Sequence, residues 1–179
     1  MVYSAALMSN DHQIAYVAFG ANLGDPLSTL EQALPLLKER GLGELLSCSS
    51  LYQTKALTLD GSVQPNYVNA VFAFKTTLSP LQALQVLLEV ERSLGRTRDN
   101  EARWTPRAID LDLLFLGGSV HQDNDLTLPH PELHKRDFVL VPLREIAPSF
   151  IHPVLLESIE TLESTLQQRG FERCVLAEA

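Results

Sequence analysis

The order in which two hydrophobic periods alternate along the chain constrains its fold more than any other feature. IAYVAFG (14–20), LLSCSSLYQT (45–54), YVNAVFAFKT (67–76) and the run IDLDLLFLG ending at Gly117-Gly118 read as β-strands, rich in apolar residues and free of internal proline. Between them, residues 26–40 place Leu27, Leu30, Leu34 and Leu37 at helical spacing. A second segment opens at Ser79-Pro80 and spaces Leu81, Leu84, Leu87, Leu88 and Leu94 along one helical face. Gly41 and Gly95 stop the two helices. The resulting order, β-α-β-β-α-β, predicts an α+β fold: a ferredoxin-like antiparallel sheet with helices packed on one face. Beyond it, TLPHPELHKRDF reads as turns, VLVPLREIA as a short apolar stretch or helix, and residues 153–169 as a last amphipathic helix. We expect one domain over 1–179, with 1–13 a loose N-terminal extension and 154–179 a C-terminal helical extension.

Composition excludes several classes. A net charge of −8 argues against general binding to nucleic acid or an anionic membrane surface. No apolar run approaches the roughly 20 residues that span a bilayer, and MVYSAALMSNDHQ lacks the basic start of a signal peptide. Cys48 and Cys174 form neither a disulfide framework nor a zinc pattern, which suits a cytoplasmic protein. We expect a monomer acting on small molecules.

Against this acidic background, five of the 14 Lys+Arg fall between Arg92 and Arg107: Arg92, Arg96, Arg98, Arg103 and Arg107. The guanidinium fork suits phosphate, and the cluster contains no lysine. It runs directly into Asp110 and Asp112, which share one face of a strand, roughly 7 Å apart. Like charges so placed on a mostly buried strand need a positive answer. Paired carboxylates beside arginines point to Mg²⁺ and a polyphosphate, because Mg²⁺ is held by one or two carboxylates plus phosphate oxygens. An Asp-x-Asp alone is a weak signal, and the absence of a GxxxxGK[ST] loop rules out a P-loop enzyme. The segment Gly20 to Gly24 reads as an ordinary strand-to-helix turn. Tyr67, Trp104 and Phe138 flank the same segments and suggest a planar substrate, whose ring edge the Asn69 amide can read. Two long polar loops, 54–66 and 95–107, are candidate lids.

FGANLGDP, QPNYVNAV, GRTR, RWTPRAIDLDLLFLG and LPHPELHKRDFVLVPL, in that order, resemble the 6-hydroxymethyl-7,8-dihydropterin pyrophosphokinases of folate biosynthesis over about residues 14–153. The resemblance implies transfer of the ATP diphosphate to the pterin alcohol, at the β-phosphorus, with release of AMP. It implies two Mg²⁺ ions on Asp110 and Asp112, and catalytic assistance from Arg96 and Arg107. It matches Glu91, Arg98, Arg103, Trp104, His130 and Arg136 to ATP-binding positions. It matches Tyr67 and Phe138 to rings that sandwich the pterin, and Asn69, Thr54 and Leu57 to groups that read its edge. One departure is Lys55-Ala56, where a proline commonly follows the matching threonine. The competing expectations are a non-catalytic ferredoxin-like module that binds a nucleotide or metabolite, which needs no metal pair, and a metal-dependent nuclease, which the net charge disfavours.

Overall fold

The computed structural model describes residues 12–56, 64–96 and 106–168, and the short strand Val175–Leu176. Strand β1 (Gln13–Ala21) leads into helix α1 (Pro26–Glu39), and β2 (Glu44–Cys48), β3 (Tyr52–Thr54) and β4 (Tyr67–Thr76) follow. Helix α2 (Pro80–Ser93) crosses back to β5 (Asp110–Leu116). The two-residue strands β6 (His121–Gln122) and β7 (Thr127–Leu128) form a separate hairpin. A 3-10 turn (Leu133–Lys135), α3 (Asp137–Ile146), α4 (Ile159–Gln168) and β8 (Val175–Leu176) complete the order. The sheet runs β5-β1-β4-β3-β8, with β2 also on β4, and its pairings are antiparallel. This is the expected ferredoxin-like arrangement.

Local chemistry sets the helix ends. Asp25 caps α1 by accepting from the backbone of Leu27 and Ser28, with Pro26 in the first turn. Ser79 and Gln82 form a reciprocal capping box at the start of α2. Both helices bury small and branched residues, Ala33 and Leu37 on α1 and Ala83, Val86, Leu87 and Val90 on α2, against Val17, Phe19, Phe72, Phe74, Leu111 and Leu113.

Four details differ from the sequence-based expectation. Helices cover both sheet faces: α3 and α4 bury Val71, Leu114 and Phe115 on the side opposite α1 and α2. Both Leu114 and Phe115 reach that side because the β1–β5 register slips between Tyr16 and Val17, bulging β5 at Leu114. The 45–54 segment is two strands, broken where the Ser49 side chain donates to the Ser50 carbonyl and accepts from the backbone of Val71. The last helix begins at Ile159 rather than 153, because His152 holds a turn through Val154 and Leu155 and Leu156 sits at φ 59°. The C-terminal extension is not helical throughout, since β8 adds an edge strand to β3. VLVPLREIA lies in α3, with Pro142 inside it.

Candidate active site

Alternation along β5 turns Leu111 and Leu113 into the α1–α2 core and leaves Asp110 and Asp112 on the opposite face. Their cross-strand partners on β1 are Gly20 and Ala18, so little side-chain bulk stands beside them. Gly20 also pairs with Asn69 on β4, and Asn69 pairs with Tyr52 on β3. One row across the sheet therefore joins Tyr52, Asn69, Gly20 and Asp110. A Cβ at Gly20 would lie 3.5 Å from Asn69 Oδ1, 3.9 Å from the Tyr67 ring and 4.0 Å from Asp110 Cβ.

Each carboxylate is answered by cations from other segments. Asp110 accepts from Arg96 through one oxygen and from Arg107 through the other. Arg96 is held in turn by Glu91 at 2.5 Å, and the same Glu91 oxygen accepts from the Leu111 backbone at 2.7 Å. Glu91 is 1% exposed, so it meets the site through Arg96 and β5. Asp112 Oδ2 lies 3.9 Å from His130 Nε2 and 3.9 Å from the Arg136 guanidinium, looser than its neighbour's partners. Burial, reinforced by the charge of Asp110, pushes the Asp112 carboxyl above the ordinary carboxylate range. Burial also lowers His130, against the pull of Asp112. The His130 Nδ1 accepts from the Glu132 backbone at 3.3 Å, which assigns the proton of the neutral ring to Nε2, toward Asp112.

On the same face, Asn69 is 5% exposed, and its amide nitrogen donates to Thr54 Oγ1 at 2.9 Å and to the Tyr52 carbonyl at 3.3 Å. Its Oδ1 then faces Gly20. Thr54 pairs across the sheet with Tyr67. Helix α3 packs over β4 and β3 and brings a half-buried Phe138, whose ring lies 5.8 Å from the Arg136 guanidinium carbon.

The structure thus brings together Glu91, Arg96, Arg107, Asp110, Asp112, His130 and Arg136 at one end, and sets Thr54, Tyr67 and Asn69 on β3 and β4, the strands that α3, the helix carrying Phe138, packs over. Leu57, Arg98, Arg103 and Trp104 lie outside the described residues, as does most of both proposed lids. Among the described residues no group of three or more His, Cys, Asp or Glu side chains converges on a cation. The donor set that remains, two carboxylates on one face, suits a hard cation whose other ligands are phosphate oxygens or water.

Sequence reasoning missed Asn22. Its Oδ1 accepts from the Arg107 backbone at 2.7 Å and its Nδ2 donates to the Pro65 carbonyl at 3.1 Å, while the backbone of Asn22 and Leu23 donates to the Arg107 carbonyl. It ties the end of β1 to both long loops. Its partners are 43 and 85 residues away, so nothing local separates it from an ordinary turn asparagine.

A ferredoxin-like antiparallel sheet with helices packed on it, presenting paired carboxylates faced by arginines and a histidine, places the chain in the α+β class. The chain belongs to the 7,8-dihydro-6-hydroxymethylpterin-pyrophosphokinase (HPPK) family, whose family model matches residues 16–148. It is 42% identical over 139 residues to the 2-amino-4-hydroxy-6-hydroxymethyldihydropteridine pyrophosphokinase of Haemophilus influenzae, covering 78% of this chain and 84% of that protein. It is 39% identical over 155 residues to the Synechocystis protein of the same name, covering 84% of this chain and 77% of that one. Among solved structures, a wild-type Plasmodium falciparum HPPK-DHPS with pteroate superposes with a TM-score of 0.69 at 17% identity over 89% of this chain. This chain spans 43% of that larger one, and the likeness speaks for the fold.

Proposed function

We propose that this protein transfers the diphosphoryl group of ATP to the hydroxymethyl oxygen of 6-hydroxymethyl-7,8-dihydropterin, releasing AMP, as a step of folate biosynthesis. One observation carries the reading: the row Asn69–Gly20–Asp110 puts a ring-edge reader and a phosphate-side carboxylate two strands apart on one face of the sheet. Two strand spacings are roughly 9.6 Å, comparable to a bicyclic ring with a one-carbon arm. The family and the names of its relatives support the same reaction.

Tyr67 and Phe138 stack on the two faces of the pterin, and Asn69, Thr54 and Leu57 read its edge. The pterin oxygen attacks the β-phosphorus; that O–P bond forms as the bond to the α-phosphate oxygen breaks, and the alcohol proton leaves to solvent. Mg²⁺, as two ions held by Asp110 and Asp112, supplies positive charge to the triphosphate oxygens when bound. Arg96 and Arg107 stabilise charge on the transferring group, and Glu91 keeps Arg96 in place. His130 and Arg136, with Arg98, Arg103 and Trp104, hold the nucleotide. The Arg107 Nε is a buried donor with no partner among the described residues, which suits an anionic ligand oxygen. Catalysis then rests on positioning and charge neutralisation. We assign the protein to the cytoplasm, where both substrates are free metabolites, and take it to act as a monomer; no helix among the described residues is long and apolar enough to cross a membrane.

Chromatography of the nucleotide products tests the reaction. AMP formed only when the pterin alcohol is present is expected. ADP in its place would make this an ordinary kinase and overturn the assignment.

A further inference from the structure

Glu145 is an exposed residue of α3 outside the Asp110–Asp112 cluster, yet its carboxylate gathers several hydrogen bonds. Its carboxylate accepts from the Ser50 backbone at 3.0 and 2.9 Å, from the Ser50 hydroxyl at 2.8 Å and from the Tyr52 hydroxyl at 2.9 Å. Ser50 sits in the break between β2 and β3, where the chain could otherwise choose among several conformations, and Tyr52 opens β3. A carboxylate that collects several donors at once holds such a break in one shape.

Both ends of this clamp lead to the ring-binding side of the site. On the strand side, the Tyr52 carbonyl and the Thr54 hydroxyl are the two acceptors that orient Asn69, and Tyr52 and Thr54 are the cross-strand partners of Asn69 and Tyr67. On the helix side, Glu145 shares α3 with Phe138. The two lie seven residues apart and so fall on one face of the helix. On the proposed reading, the flat ring lies between Tyr67 and Asn69 on the sheet and Phe138 on the helix. Glu145 is a direct polar link between that helix and the strand that orients the sheet side.

We infer that Glu145 is a positioning residue for the pterin: it sets the height of α3 over β3, and with it the width of the ring slot and the aim of the Asn69 amide. The inference rests on the proposed reaction and deepens it. It predicts a separation of effects, because the Asp110–Asp112 end is held by other groups, namely Glu91, Arg96, Arg107 and Asn22.

The test measures binding of 6-hydroxymethylpterin by its own fluorescence, and of a non-hydrolysable ATP analogue with Mg²⁺ by calorimetry. The proteins are wild type, Glu145→Ala, Tyr52→Phe and the double variant. Glu145→Ala is expected to weaken pterin binding about tenfold and to leave nucleotide affinity within about twofold. Tyr52→Phe should add less in the Glu145→Ala background than it does alone, since the two groups act through one contact. Glu145→Gln, which keeps an acceptor oxygen for Ser50, should recover part of the loss. Unchanged pterin affinity, equal losses for both ligands, or strictly additive single effects would each overturn the inference. Failure of the proposed reaction shows separately, in the wild-type protein, as no pterin binding or no AMP formation.

Discussion

Asp112 is the less comfortable of the two strand carboxylates. Its nearest cations stand 3.9 Å away, and burial and Asp110 both favour its neutral form. Such a group costs the fold something and is retained for what it does with ligand. Asp112→Asn should therefore leave the melting temperature unchanged or slightly raised while lowering AMP formation about a hundredfold or more, measured by product chromatography beside thermal melting. Asn22 predicts the converse. It is 3% exposed and bridges Arg107 to Pro65, so Asn22→Ala removes two part-buried hydrogen bonds, at about 1 kcal/mol each. Both the melting temperature and kcat should fall, since the Arg107 N–H loses its side-chain acceptor. These residues also mark how far the sequence could be read. The shared face of Asp110 and Asp112, and of Tyr67 and Asn69, was legible from strand period, and Arg107 from local clustering, while the roles given to them come from the family resemblance. Asn22 and Glu145 were not, because their meaning lies in partners on distant segments.

At the scale of elements, the βαββαβ order was legible because periods of two and of three to four residues differ sharply. The break in 45–54 was not, since Ser49 and Ser50 are flanked by good strand formers and only the contacts with Val71 and Glu145 reveal the kink. The start of α4 was displaced for a related reason: His152 organises the turn ahead of it, with its ring edge-on to Phe115 at a 5.4 Å centroid distance. Burial, aided by the charge of His134, holds His152 below the ordinary histidine pKa. The unfolded chain then binds the proton more readily than the folded one. This contribution to stability is present above about pH 6.5 and is lost as the pH falls below it toward the folded-state value. Melting curves from pH 8 to pH 5 should show a drop that His152→Asn reduces, since asparagine keeps an acceptor but does not titrate.

The whole molecule differs most from its sequence reading in having two covered faces. The signal was available: AVFAF on β4 and LLFL on β5 are nearly continuous apolar runs, which is how strands buried on both sides read. Val71, Leu114 and Phe115 need the α3–α4 layer, and each such side chain is worth about 1.5–3 kcal/mol of burial. A chain ending at residue 120 should be prone to aggregation and inactive. Co-expression with residues 121–179 should restore soluble protein and AMP formation, as read by sedimentation and product assay. The layer that seals the second face is also the one that carries His130, Arg136 and Phe138. During synthesis, Asp110 and Asp112 emerge from the ribosome before any of these, on a sheet still apolar and bare on one side. The nascent protein is therefore at its stickiest just before it becomes an enzyme, and the same few turns of helix end both conditions.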